Sequence, residues 1–364
     1  LKKSIHKLMM SAPKREGRYE LVNINIEVIN SIKSLVENLK SLAHIIAPIM
    51  EMHDSLEKKY EIVELYFHRL SSILEFELSN GLCWMDVKSR SLRLNLTPLD
   101  VGKKLRALIV QSEKAWIFTS ATLAIGDDFS YFKDRIGLFD AMECSFPSPY
   151  ALSENALIYL PSNIPEPSDA KFTELMLKET SPLLKLVPGG VFFLFTSHHA
   201  LNQARNWFTA KRDLTEGRAL LIQGDSPRDE MLREFRSHGN AILLGTGSFW
   251  EGVDVRGEAL NMVIIDKLPF KSPADPLMMA RLEYIKKIGG NGFIDHQLPT
   301  AVLALKQGVG RLLRDQKDFG VVVLCDPRIK NKNYGKTFLE GLFPMQATEL
   351  LNEVKNFLES HKSF

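Results

Sequence analysis

Six short, almost purely apolar runs set the strongest limit on how this chain folds. They occupy residues 156–160, 191–195, 219–222, 241–244, 262–265 and 321–325, and amphipathic, helix-like stretches separate them. A strand that is apolar on both sides of its pleat must be covered on both faces. Such strands alternating with helices imply a parallel sheet held between helical layers, an α/β fold. The ligand site of that architecture lies beyond the carboxyl ends of the strands. The residues falling there are Thr196-Ser197, Gly245-Thr246-Gly247, Asp266-Lys267 and Asp326.

Upstream the pattern changes. Residues 22–77 lack glycine and carry apolar residues at helical spacing: Ile32, Leu35, Leu39 and Leu42, then Ile62, Leu65, Phe67 and Leu70. This predicts a hairpin of two long helices, interrupted near Pro48. CWMDV (83–87) and SLRLNL (91–96) read as strands joined by a polar turn. Pro98 opens a helix-like segment, and the triplet WIF (116–118) reads as a strand running into TSATL (119–123). No repeat or low-complexity tract interrupts the chain.

Composition removes several functions. A net charge of +2 over 364 residues gives no global attraction to nucleic acid or anionic lipid, so such a site must be a local patch. The three cysteines, Cys83, Cys144 and Cys325, form no CxxC pair and no cluster with histidine, which supports neither a zinc site nor a disulfide framework. Cys83 and Cys325 lie in apolar runs and read as core residues of a protein in a reducing cytoplasm. No apolar run approaches the ~18–20 residues of a membrane span. The chain opens LKKSIHKLMM without an initiator Met, which reads as a piece of something longer.

Three stretches carry chemistry. In QGVGRLLR (307–314), Gln307, Gly310, Arg311 and Arg314 fall at i, i+3, i+4 and i+7, one face of a helix. Two arginines one turn apart repel unless an anion sits between them, and a guanidinium pair suits a phosphate. Gly310 costs ~1 kcal/mol in a helix interior, so something should want its missing side chain. GTGSFWEGVD (245–254) follows an apolar run and offers backbone freedom at Gly245 and Gly247, hydroxyls at Thr246 and Ser248, and carboxylates at Glu251 and Asp254. An ordinary strand-to-helix loop with an N-capping serine would look similar. TSATL sets Thr119, Ser120 and Thr122 around an alanine, as many serine- and threonine-rich turns do.

Other features read as bland. GKT at 335–337 resembles the tail of a phosphate-binding loop, but that loop needs a glycine where Lys330 stands. His198 and His199 read as helix-start residues, and the basic run 328–336 as a solvated loop able to touch a nucleic-acid backbone.

Taken in order, TSATL, SFPSPY (145–150), VFFLFTS (191–197), GTGSFWEGVDVRG (245–257), VIIDKLPFKSPADP (263–276), QGVGRLLRD (307–315) and DPRIKNKNYGK (326–336) resemble motifs III to VI of the XPD/Rad3-like superfamily-two DNA helicases, specifically the bacterial DinG/YoaA branch. The resemblance implies the C-terminal portion of such an enzyme. Residues 1–77 would be the remnant of a helical arch, 78–125 the last segment of helicase domain 1 with motif III, and 126–364 a RecA-like helicase domain 2 with motifs IV to VI. ATP with Mg2+ would bind between two such domains, with the phosphate loop and magnesium motif supplied by residues outside this chain. An iron–sulfur cluster would also belong outside it.

Carried over residue by residue, the resemblance makes Arg311 and Arg314 the arginines that reach the γ-phosphate, with Gln307 orienting their helix. Glu251, Gly252, Asp254 and Gly310 would face the nucleotide. Ser197, Thr246, Ser248 and Trp250 would lie near a single-strand track, and Thr119, Ser120 and Thr122 would relay hydrolysis to DNA movement. The expected activity is 5′–3′ translocation on single-stranded or forked DNA by a monomeric, cytoplasmic protein, with replication or repair proteins as unidentified partners. A non-catalytic module that binds nucleic acid or a partner is the alternative.

Overall fold

The computed structural model describes residues 1–361 apart from 53, 76–80, 149–150, 251–259, 273–274, 313–317 and 343. The chain divides into two compact units, each built from several stretches of sequence. Among the described residues no helix is long and apolar enough to cross a membrane.

The first unit gathers Leu1–Trp116, Asp134–Phe139 and Lys271–Asp295. Its hairpin consists of the helices Ile26–Ile46 and Asp54–Leu74, with a 3-10 turn at Ala47–Met52 where Pro48 denies a backbone donor. Asn25 caps the first helix by accepting the N–H of Glu27 at 3.1 Å. A three-stranded antiparallel sheet lies with them: β1 (Gly17–Glu20), β2 (Gly81–Lys88) and β3 (Ser91–Pro98), in the order β1-β2-β3. Val28, Ile32, Leu35 and Leu39 of the first helix share a core with Met85 and Val87 of β2. On the second helix Val63 is buried and Phe67, Leu70 and Leu74 pack half-buried against the same core, whereas Ile62 and Leu65 are exposed. Phe67 and Leu70 of the expected stripe therefore face the core, and Ile62 and Leu65 do not.

The hairpin and the three-stranded sheet thus share one core within this unit. The helix Pro276–Lys287, far along the sequence, also packs on β1 and β2. Asp275 caps it through the N–H of Met278 at 3.1 Å and pairs with Arg18 at 2.6 Å, and the Arg18 guanidinium lies 5.1 Å from the Trp84 ring centre. Gly102 and Gly137 touch backbone to backbone, and Gly137 has φ +71°, so neither tolerates a side chain.

The second unit gathers Ile117–Lys133, Asp140–Phe270 and His296–Phe364. Its sheet contains β4 (Ala156–Tyr159), β5 (Gly190–Leu194), β6 (Leu220–Ile222), β7 (Ile242–Gly245), β8 (Leu260–Ile265), β9 (Gly320–Leu324) and β10 (Gln346–Thr348). All neighbours are parallel, in the order β10-β4-β9-β8-β5-β7-β6. The six apolar runs account for β4 to β9. Phe192 and Phe193 show why β5 is apolar throughout. Phe193 faces Phe208 at 5.5 Å and Phe192 faces Phe235 at 4.7 Å, on helices covering opposite faces of the sheet.

WIF (116–118) is not a strand: Trp116 is 47% exposed and Ile117 85%. A β-prone triplet becomes a strand only where a neighbouring edge supplies ladder hydrogen bonds, and this triplet lies in neither described sheet. TSATL, which follows, belongs to the second compact unit.

Candidate functional site

At the carboxyl edge of the parallel sheet, polar side chains at the ends of three strands hold neighbouring loops. Gln223, just past β6, accepts from the Thr246 N–H at 2.6 Å and its hydroxyl at 3.0 Å through one side-chain oxygen. Asp266, after β8, accepts from the Thr196 N–H at 2.9 Å, its hydroxyl at 3.3 Å, and the Lys267 N–H at 2.7 Å. Asp326, after β9, accepts the Leu268 N–H at 2.8 Å and pairs with Arg328 at 2.6 Å. Each clamp joins strands adjacent in the sheet, β6 to β7, β8 to β5 and β9 to β8. The loops above the sheet are thus fixed before any ligand arrives.

Burial raises the Asp266 carboxyl to about 7, with the Lys267 charge and the hydrogen bonds from Lys267 and Thr196 opposing that rise. The same burial, with Asp266 and Asp326 close by, pushes the Cys325 thiol up and keeps it an inert core residue. Cys83 is likewise buried, while Cys144 is exposed.

The glycine-rich loop divides into two roles. A Cβ on Gly245 would meet the Phe249 ring at 2.9 Å, so its missing side chain admits an aromatic rather than a ligand. Gly247 faces open space, and neither glycine has a positive φ. Thr246 is buried, its N–H and hydroxyl both held by Gln223. Ser197 accepts the N–H of Ala200 at 3.2 Å and caps the helix His198–Ala210, which His198 and His199 open. The backbone of Ser248 and Trp250 lies in the short helix Gly247–Trp250, which packs on the helix Leu298–Val309. Glu251, Gly252 and Asp254 lie outside the described residues.

The stripe expected along one helix is broken. The helix Leu298–Val309 ends at Gly310, its C-terminal cap, so Gln307 sits in the last turn and Gly310 is not interior. The chain tightens there: the Arg311 N–H reaches the Gly308 carbonyl at 3.2 Å and the Leu312 N–H reaches Val309 at 3.1 Å. Glycines at 308 and 310 favour that termination over continued α-helix. Gln307 and Arg311 are both half-buried, and Arg314 lies outside the described residues. Thr119 and Ser120 are exposed, and the Ser120 hydroxyl accepts the Thr122 N–H at 3.1 Å in a tight turn.

The GKT decoy opens the short helix Gly335–Gly341, and Gly335 is packed on the carbonyl of Ile329 rather than cradling an anion. The basic run is not simply solvated. Arg328 pairs with Asp326, Lys330 with Glu349 at 3.0 Å, and Lys336 with Glu340 at 3.3 Å. Sequence reading passed over Gln223, whose signal was a polar residue directly after an apolar run.

The Helicase C-terminal domain family model matches residues 180–345. Over 306 residues the chain is 42% identical to the ATP-dependent DNA helicase YoaA of Escherichia coli, covering 83% of this chain and 47% of that protein. Over 344 residues it is 37% identical to YoaA of Haemophilus influenzae, covering 94% and 53%. A solved apo XPD structure superposes with a TM-score of 0.60 at 17% identity, over 96% of this chain and 68% of that one, a likeness of fold. The chain spans about half the length of the curated relatives it matches.

Proposed function

Because this chain belongs to the XPD/Rad3-like helicases, in their DinG/YoaA branch, we propose that it supplies the RecA-like second half of an ATP-driven, 5′–3′ DNA helicase. In this reading residues 1–77 are the end of the arch, 78–125 the last segment of the first helicase domain, and 126–364 the second. The substrate is single-stranded or forked DNA, and the protein acts as a cytoplasmic monomer.

One observation carries the proposal. The helix that ends in Gln307, Gly310 and Arg311 packs on the short helix of the glycine-rich loop, at the sheet edge where parallel α/β folds bind ligands. The termination at Gly310 places Arg311 in the turn that follows the helix. Arg311 and Arg314 are assigned to the γ-phosphate of ATP, where such arginines stabilise the charge of phosphoryl transfer and are worth ~10³–10⁵ in rate. Gln307 holds their turn, and Glu251, Gly252, Asp254 and Gly310 line the nucleotide side. Magnesium bound with the nucleotide would neutralise charge on the phosphates.

Ser197, Ser248 and Trp250 are assigned to the DNA track, where hydroxyls meet phosphates and an aromatic face stacks a base. Thr246 contributes by holding the loop rather than by offering its hydroxyl. Thr119 and Ser120, exposed on their turn, and the half-buried Thr122 link hydrolysis to strand movement. Arg314→Ala in the full-length helicase tests the assignment. DNA-stimulated ATP hydrolysis should be abolished with DNA affinity retained, and near-normal turnover would refute it.

A further inference from the structure

The TSATL turn is attached to the helix of Gln307 by contacts that no motif predicts. Lys306, next to Gln307, is a lysine only 9% exposed, and its ammonium donates to the carbonyl of Ala124 at 3.4 Å, one residue past TSATL. Burial lowers its pKa while the charge of Asp127 works against that shift. A buried ammonium is retained only where acceptors reward it. The Tyr131 hydroxyl forms a second attachment, 2.6 Å from the Thr300 hydroxyl and 3.2 Å from His296 Nδ1, near the start of the same helix. A third is steric. Gly341 lies against Val302 of the helix, and a Cβ there would stand 3.1 Å from Ile125. The attachments run from the first turn of the helix to its last and hold residues 124–131 against it.

We propose that Lys306 is a positioning residue that makes the TSATL turn and the helix ending in Gln307 one mechanical piece. A displacement of the helix end caused by hydrolysis is then delivered to the turn. The inference rests on the helicase reading above, and it assigns the transmission to a side chain outside the motifs' polar residues. Methionine at 306 keeps the length and apolar contact of the stem but removes the donor, so the helix end would move without carrying the turn.

The test measures DNA-stimulated ATP hydrolysis and base pairs opened per ATP in the full-length helicase carrying Lys306→Met and Lys306→Arg. Lys306→Met should keep ATP hydrolysis close to wild type while base pairs opened per ATP fall roughly 2- to 30-fold, the span of typical coupling changes. Lys306→Arg, which can still donate to Ala124, should recover most of the ratio. An unchanged ratio in Lys306→Met overturns the inference, as does a parallel loss of both activities with a lowered melting temperature, which marks a merely structural role. Should Lys306→Met not fold, Tyr131→Phe removes one hydroxyl from the same junction. A reduced ratio there supports the inference and a wild-type ratio overturns it. A wild-type helicase that hydrolyses no ATP on DNA overturns the helicase reading itself, and this inference with it.

Discussion

Gln223→Ala removes the acceptor that holds the glycine-rich loop. The Gln223 oxygen takes two hydrogen bonds from Thr246, at 2.6 Å from its N–H and 3.0 Å from its hydroxyl, and Thr246 is 5% exposed. The amide N–H cannot rotate to another partner, so leaving it buried and unpaired costs ~1–3 kcal/mol. The hydroxyl can turn elsewhere, which limits its share to the net value of one bond, ~0.5–1.5 kcal/mol. Together these give about 1.5–4.5 kcal/mol, centred near 3 kcal/mol. With a urea slope of ~2–3 kcal/mol/M, the unfolding midpoint should fall by roughly 1 M without a change in slope. Gln223→Glu keeps an acceptor oxygen in place and should recover most of the loss. A midpoint for Gln223→Ala within ~0.2 M of wild type would refute the clamp, and so would an equal loss in Gln223→Glu.

Asp266→Asn tests the buried carboxylate through pH. The folded-state pKa of about 7 lies above the ordinary 3.8, so the folded protein holds the proton more tightly and ionisation destabilises it. Wild-type stability relative to Asp266→Asn should therefore be greatest near pH 4 and decline up to about pH 7, and a flat difference in urea midpoints would contradict the burial argument. Phe192→Ala should open a cavity against Phe235 and cost ~3–5 kcal/mol; a loss below ~1 kcal/mol in thermal or urea unfolding would mean that this helix does not seal the sheet.

How far the fold could be read from sequence depended on how many faces of each element are buried. β4 to β9 were visible because burial on both faces forces an uninterrupted apolar run. The edges were not. Gln346–Thr348 adds a parallel edge strand with two of its three residues exposed, and Gly17–Glu20 pairs only with β2, so neither carries a pattern above background. Conversely, WIF had the composition of a strand and lies in neither described sheet.

The candidate site divides along the same line. The glycines, hydroxyls and arginines announced themselves by type and spacing, because phosphate chemistry restricts which side chains can serve. Helical periodicity then extended Gln307 to Arg314 as one stripe, although two glycines within three residues let the chain turn off at Gly310. The sequence by itself determined the parallel sheet and the loops that crown it, since burying six apolar strands leaves few other arrangements. Tertiary structure alone decided the rest: that Thr246 is held by Gln223, that residues 271–295 join the helical unit, and that Lys306 reaches Ala124. The hydrogen bonds and the ion pair behind these placements join residues from 23 to 257 positions apart, and no local pattern records a partner chosen by packing.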